Sequence, residues 1–156
     1  MKKIKFLLIS FMISFWSFNL NAADWTMASG YPKSNFHTQN IMKFIDEVKA
    51  NTSVNINLNP NDTLIKLDAI KTSLQRGQIP IGEIRFGIYG NEDPMYILAG
   101  LPFIAPDYAS AWLLKEVKHE YLQNLFNKKG LRILYTSPWP GQGFYTKTQV
   151  NGVSDF

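Results

Sequence analysis

WTMASGYPKSNFHTQNIMKFIDEVKANTSVNINLNPND, residues 25–62, changes periodicity twice in 38 residues. Trp25 to Ser29 is short and mostly apolar, reads as a strand, and stops at Gly30, Tyr31 and Pro32. Ser34 then stands as a helix cap. Behind it Ile41, Phe44, Ile45 and Val48 fall at i, i+3, i+4 and i+7, which gives a helix from about Asn35 to Ala50 one apolar face. Val54, Ile56 and Leu58 alternate with asparagines, the period of a strand with one polar face, and 59–62 turn the chain. A strand, a helix and another strand in this span make a crossover unit, the building block of a parallel sheet.

The pattern continues outward. Leu64, Leu67, Ile70 and Leu74 share a helical face that Gly77 should end, and Ile79 to Ile88 reads as a buried strand. Residues 91–94 form a polar loop. A helical region runs from Asp107 to Lys129, in one piece or two, with Ala111, Leu114, Tyr121, Leu122, Leu125 and Phe126 as core candidates and Gly130 as its stop. Leu131 to Thr136 is a further expected strand, and Gly143 to Lys147 a further extended stretch. The alternation argues for an α/β fold with a mainly parallel sheet.

Upstream of residue 24 the composition changes. Lys2, Lys3 and Lys5 precede an apolar run from Phe6 to Phe18, which leads to Ala22 and Ala23: the three parts of a secretory signal peptide, with cleavage near either alanine. The run is broken by three serines and is shorter than the roughly 20 residues of a membrane span, so no stable insertion is expected once the signal is removed. The leader takes three of the 16 basic residues and none of the 12 acidic ones, leaving a mature net charge of +1. Such a chain has no electrostatic footprint for nucleic acid. With no cysteine it has no disulfide, thiolate metal site, cysteine nucleophile or lipid-modified N-terminus, and the periplasm is its expected address.

In open parallel sheets ligands sit beyond the carboxyl ends of the strands, which points to the loops at 30–34, 85–94 and 137–142. The first leads into a helix start, where free N–H groups favour an anion. Ser29 and Tyr31 either line such a site or belong to an ordinary capped helix entry. Tyr31, Phe36, Tyr89, Trp139 and Phe144 bring aromatic faces to one side of the sheet, as a small-molecule pocket requires, or pack in the core. Glu83 and Arg85, at i and i+2, share a strand face. Arg85 clamps a carboxylate, faces solvent or pairs with Glu83. His37 lies in a first helical turn, whose dipole disfavours imidazolium, and can hydrogen-bond a ligand. With His119 it makes no metal site, no catalytic or cofactor motif occurs, and no cofactor is expected.

Four blocks of the sequence, in order, carry a family likeness: ASGYPKSNFHTQNIMKFIDEV at 28–48, TSLQRGQIPIGEI at 72–84, YGNEDPMYILAGLPFIA at 89–105 followed by DYASA, and YTSPWPGQGFYTK at 135–147. The chain resembles the DctP-type solute-binding proteins of TRAP (tripartite ATP-independent periplasmic) transporters. The resemblance implies a type II periplasmic-binding-protein-like fold and no enzymatic activity. It implies a receptor that closes two α/β lobes on a small organic acid and delivers it to TRAP membrane permease subunits. On this reading 1–23 are the signal peptide, 24–142 an incomplete first lobe and 143–156 the start of the crossover to a second, largely missing lobe. The family arginine that pairs with the ligand carboxylate is expected beyond Phe156.

Carried over residue by residue, the resemblance gives a first-lobe wall: the loop from Ser29 through Tyr31 to Phe36 and His37, the strand end with Glu83, Arg85 and Tyr89, and the loop with Trp139, Gln142 and Phe144. Gly143 and Phe144 stand where some members have an arginine, which speaks against a sugar acid and for a hydrophobic or aromatic carboxylate. The alternatives are a sensing module for a membrane receptor kinase and a truncated remnant that binds nothing. A secreted hydrolase is disfavoured by the missing motifs. N-terminal sequencing of the protein from a periplasmic fraction is expected to begin at Ala23 or Asp24, and an intact Met1 in the membrane pellet would overturn the leader reading.

Overall fold

The computed structural model describes residues 23–141, 143 and 145–155. Residues 1–22 of the expected leader and the candidate residues Gln142 and Phe144 lie outside them. Three parallel strands form the sheet, in the order β2-β1-β3: β1 is Ala23–Ala28, β2 Val54–Asn59 and β3 Ile81–Gly82. Trp25 pairs with Ile56, Met27 with both Leu58 and Ile81, and Ala28 with Gly82. Helix α1 (Phe36–Asn51) makes the crossover from β1 to β2, and the short α2 (Ile70–Gln75) the one from β2 to β3. The long α3 (Tyr108–Asn127) follows three 3₁₀ turns at Phe86–Tyr89, Pro94–Tyr96 and Leu98–Gly100.

Strand alternation divides the core. Met27 and Ile56 face α1, where Ile41 is buried and Phe44, Ile45 and Val48 pack around it, the face expected from the sequence. Ala28, the next residue, faces the opposite way and meets Ile70 and Ile79. This second layer is close: a Cβ on Gly82 would stand 2.7 Å from Ile70 Cγ2. Tyr89, Tyr96, Leu122 and Phe126 form a third cluster between the 3₁₀ turns and α3. Among the described residues, no helix is long and apolar enough to cross a membrane.

Several elements differ from expectation. The strand expected over 79–88 ends at Gly82, because β1 has by then run into the Gly30 turn; the last ladder bond is Glu83 N–H to Ala28 O, 2.9 Å. Leu131 and Ile133 pack on the third cluster without joining the sheet, and neither 131–136 nor the described residues of 143–147 form a strand. Helix α2 begins at Ile70, six residues later than the Leu64 expected. The chain before it is held in turns by Asn61 and Asp62, at φ 59° and 58°, and by Asp62 Oδ1 accepting from Leu67 N–H at 2.9 Å. Asn35 rather than Ser34 caps α1, its Oδ1 accepting from His37 N–H at 2.8 Å. Helix α3 is one piece capped by Asp107, and Tyr121 sits on its exposed side with its hydroxyl donating to Asp93 Oδ2 at 2.7 Å.

One ionic network ties these layers together. Lys71 on α2 is 2 % exposed and pairs with Glu92, whose second oxygen accepts from Lys129 Nζ at 2.6 Å. The ammonium of Lys71 also lies 3.8 Å from the ring centroid of Tyr89. Hydrogen bonds from Lys129 and then from Lys71 hold the Glu92 carboxyl below its ordinary range. Breaking a buried pair costs roughly 3–5 kcal/mol by stranding the surviving charge. Glu92 is 34 % exposed, so Glu92→Gln is expected to cost about 2 kcal/mol in a denaturant titration. Adding Lys71→Met should restore most of that loss, whereas a Glu92→Gln variant as stable as the wild type would show the network to be inert.

Candidate functional site

The site grows from the carboxyl end of β1. Ser29 is fully buried; its N–H donates to Asn59 O at 3.0 Å and its carbonyl accepts from Asp62 N–H at 3.2 Å. The chain then passes Leu67 so closely that a Cβ on Gly30 would lie 2.6 Å from Leu67 Cβ, a fit open only to glycine. That approach delivers Tyr31, whose carbonyl accepts from Asn61 N–H at 2.9 Å and from Thr38 Oγ1 at 3.2 Å. Backbone on one side and the first turn of α1 on the other therefore hold the tyrosine.

Phe36 and His37 enter from that first turn, and Trp139 from the loop after α3. The four rings form a box: the centroid of Trp139 lies 5.3 Å from that of Tyr31, 5.4 Å from Phe36 and 4.5 Å from His37, each time edge to face. Phe36 and His37 are 4.1 Å apart. Such contacts contribute about 0.5–1.5 kcal/mol each beyond area burial. Yet Phe36 and Trp139 stay 45 % and 42 % exposed, so the box is open on one side.

Inside it, two polar atoms are unsatisfied. Tyr31 Oη and His37 Nε2 are buried with no hydrogen-bond partner among the described residues. Each such atom costs on the order of 1–3 kcal/mol, a cost that a bound polar group would remove. Burial lowers the His37 pKa and favours the neutral ring. Burial also raises the Tyr31 pKa, with the charge of Arg85 opposing and that of Glu83 reinforcing the shift.

Glu83 stands at the foot of the box, just past β3. Its Oε2 accepts from Ser29 Oγ at 2.5 Å. Burial raises its pKa against the pull of that bond. The pairing of Glu83 with Arg85 that the sequence left open does not form: neither residue has an ion-pair partner among the described residues, and Arg85 is exposed.

The structure thus brings together Ser29, Tyr31, Phe36, His37, Glu83 and Trp139, with Arg85 close enough for its charge to act on Tyr31. It does not bring Tyr89 to them. That residue lies in a 3₁₀ turn facing inward, where its hydroxyl donates to Asp68 O at 3.2 Å, and it belongs to the core. Tyr135 was missed. Its ring lies 5.3 Å from Phe44, and the charge of Glu83 adds to burial in raising its pKa. In the sequence it stands near the end of an expected strand and opens the fourth block of the family likeness. A separate depression of about 280 Å³, lined by Asp62, Lys66, Leu67, Asp68 and Ile88, has no buried unpartnered polar atom in its lining.

No protein-family model matches the sequence, and no curated protein matches it. Solved structures do. DctP7, a Bordetella pertussis extracytoplasmic solute receptor binding pyroglutamic acid, is 37 % identical over 86 % of this chain, with a TM-score of 0.81. A marine-metagenome TRAP solute-binding protein specific for pyroglutamate is 35 % identical over 87 %, also at 0.81. DctP6 of B. pertussis, likewise described as binding pyroglutamic acid, is 34 % identical over 76 %, at 0.74. The chain spans 45 % of the length of DctP7 and of the metagenome protein, and 40 % of DctP6.

The box makes stability depend on pH through His37. A histidine whose folded pKa is depressed contributes fully above its unfolded value of about 6.5 and loses that contribution as pH falls toward the folded value. His37→Gln is therefore expected to gain melting temperature relative to the wild type as pH is lowered from 7.5 to 5.5. A constant difference between the two would show that His37 is not held neutral.

Proposed function

Since the chain belongs to the DctP-type solute-binding proteins of TRAP transporters, we propose that it captures a small organic acid outside the cytoplasm and delivers it to TRAP membrane permease subunits for import. Its three-stranded α/β lobe is part of a periplasmic-binding-protein-like architecture. The leader sends it to the periplasm, and its role is capture and release without chemistry on the ligand.

One observation carries this reading: an open aromatic box at the carboxyl ends of parallel strands, holding two buried polar atoms without partners. An apolar body fits the rings, and a few polar groups satisfy Tyr31 and His37; small-molecule sites have this composition. The wall holds little positive charge of its own, so the ligand carboxylate is met elsewhere, on the opposing wall of a closed receptor. Ligand contact with both walls only when shut biases the receptor toward closure.

The likeness to three pyroglutamate receptors, all above 30 % identity, makes pyroglutamate the first ligand to test. Pyroglutamate is compact and partly apolar, with one carboxylate and one lactam. In a thermal-shift panel of organic acids on the mature protein, pyroglutamate is expected to raise the melting temperature in a saturable way. Trp139→Ala should weaken binding by at least about tenfold in calorimetry, the equivalent of about 1.4 kcal/mol. A panel in which no carboxylate shifts the melt would defeat the receptor reading.

A further inference from the structure

We propose that Glu83 is the specificity residue of this wall, accepting a hydrogen bond from an N–H group of the ligand and so selecting a lactam over carboxylates without a donor there. The proposal rests on the receptor reading above and goes further, by assigning a direction to one contact.

The direction follows from a chain of hydrogen bonds whose first member has no choice. Tyr31 N–H can only donate, and it donates to Ser29 Oγ at 3.3 Å. With one lone pair of Ser29 Oγ taken by that N–H, its hydroxyl donates to Glu83 Oε2. Glu83 is the acceptor of this pair. Its second oxygen has no hydrogen bond or ion pair among the described residues, although Arg85 is two residues away. A part-buried carboxylate with one oxygen held from behind and the other free presents lone pairs to whatever enters beside it. The neighbouring rings of Tyr31 and Tyr135 are close enough to feel its charge, and burial raises its pKa, as befits a carboxylate with no cation beside it.

The ligand group that completes this arrangement is a donor. A lactam N–H supplies one, and its bond to a carboxylate is charge-assisted. A ring oxygen in the same place sets lone pair against lone pair. A second carboxylate sets charge against charge.

The test compares pyroglutamate with its lactone analogue, in which a ring oxygen replaces the N–H, by calorimetry on the mature protein. The wild type is expected to prefer the lactam by about tenfold to a hundredfold. In Glu83→Gln the amide can accept from one ring and donate to the other, so the preference should shrink to about threefold or less. Equal binding of lactam and lactone by the wild type overturns the proposal and leaves the receptor reading standing. So does a Glu83→Gln variant that binds more weakly but keeps its preference. Failure of both compounds and of every other carboxylate sinks the receptor reading, and this assignment with it.

Discussion

The peptide groups at the end of β1 hold the rest of the molecule in register. Ala28 O receives Glu83 N–H from one side, while Ser29 binds Asn59 O through its N–H and Asp62 N–H through its carbonyl on the other. Two chain segments, the 59–62 turn and the residue after β3, therefore converge on two consecutive residues, both with 0 % exposure. Buried backbone groups of this kind are costly to leave unmade. Because the two sides are bonded by different loops, the loops cannot shift independently. The positions of Tyr31, Glu83 and the turn at 61–62 follow from one strand end.

The parts of this arrangement that sequence made legible are those encoded by periodicity. Helix α1 shows its buried face as Ile41, Phe44, Ile45 and Val48, and β2 shows its own as alternation with asparagine. Gly77 and Gly130 were readable as helix stops, and both have φ near +70°. What was not legible depends on partners. The segment 79–88 has the composition of a strand, but a strand needs a neighbour, and β1 turns away after Ala28. Leu131 to Thr136 is equally strand-like and ends without a ladder.

The same division holds at the site. Ser29, Tyr31, Phe36, His37 and Trp139 could be grouped because loops at the carboxyl ends of parallel strands share one side of a sheet. Tyr89 was grouped with them on that logic. A 3₁₀ turn rotates successive side chains by about a third of a revolution, which carries it inward to Lys71. Nor could sequence tell that Arg85 and Glu83, on one face of an expected strand, would make no pair once that strand had ended.

The two sides of the aromatic box are attached by different means. Tyr31 and His37 belong to backbone tied into β1 and α1, so moving them means breaking hydrogen bonds of the fold. Trp139 lies in a stretch, 132–139, that makes no backbone hydrogen bond among the described residues, and it is held to the box by its edge-to-face contacts. Its attachment therefore runs through side-chain contacts, where that of Tyr31 and His37 runs through backbone hydrogen bonds. The box thus has one side fixed by the backbone of strand and helix and one side held through its rings.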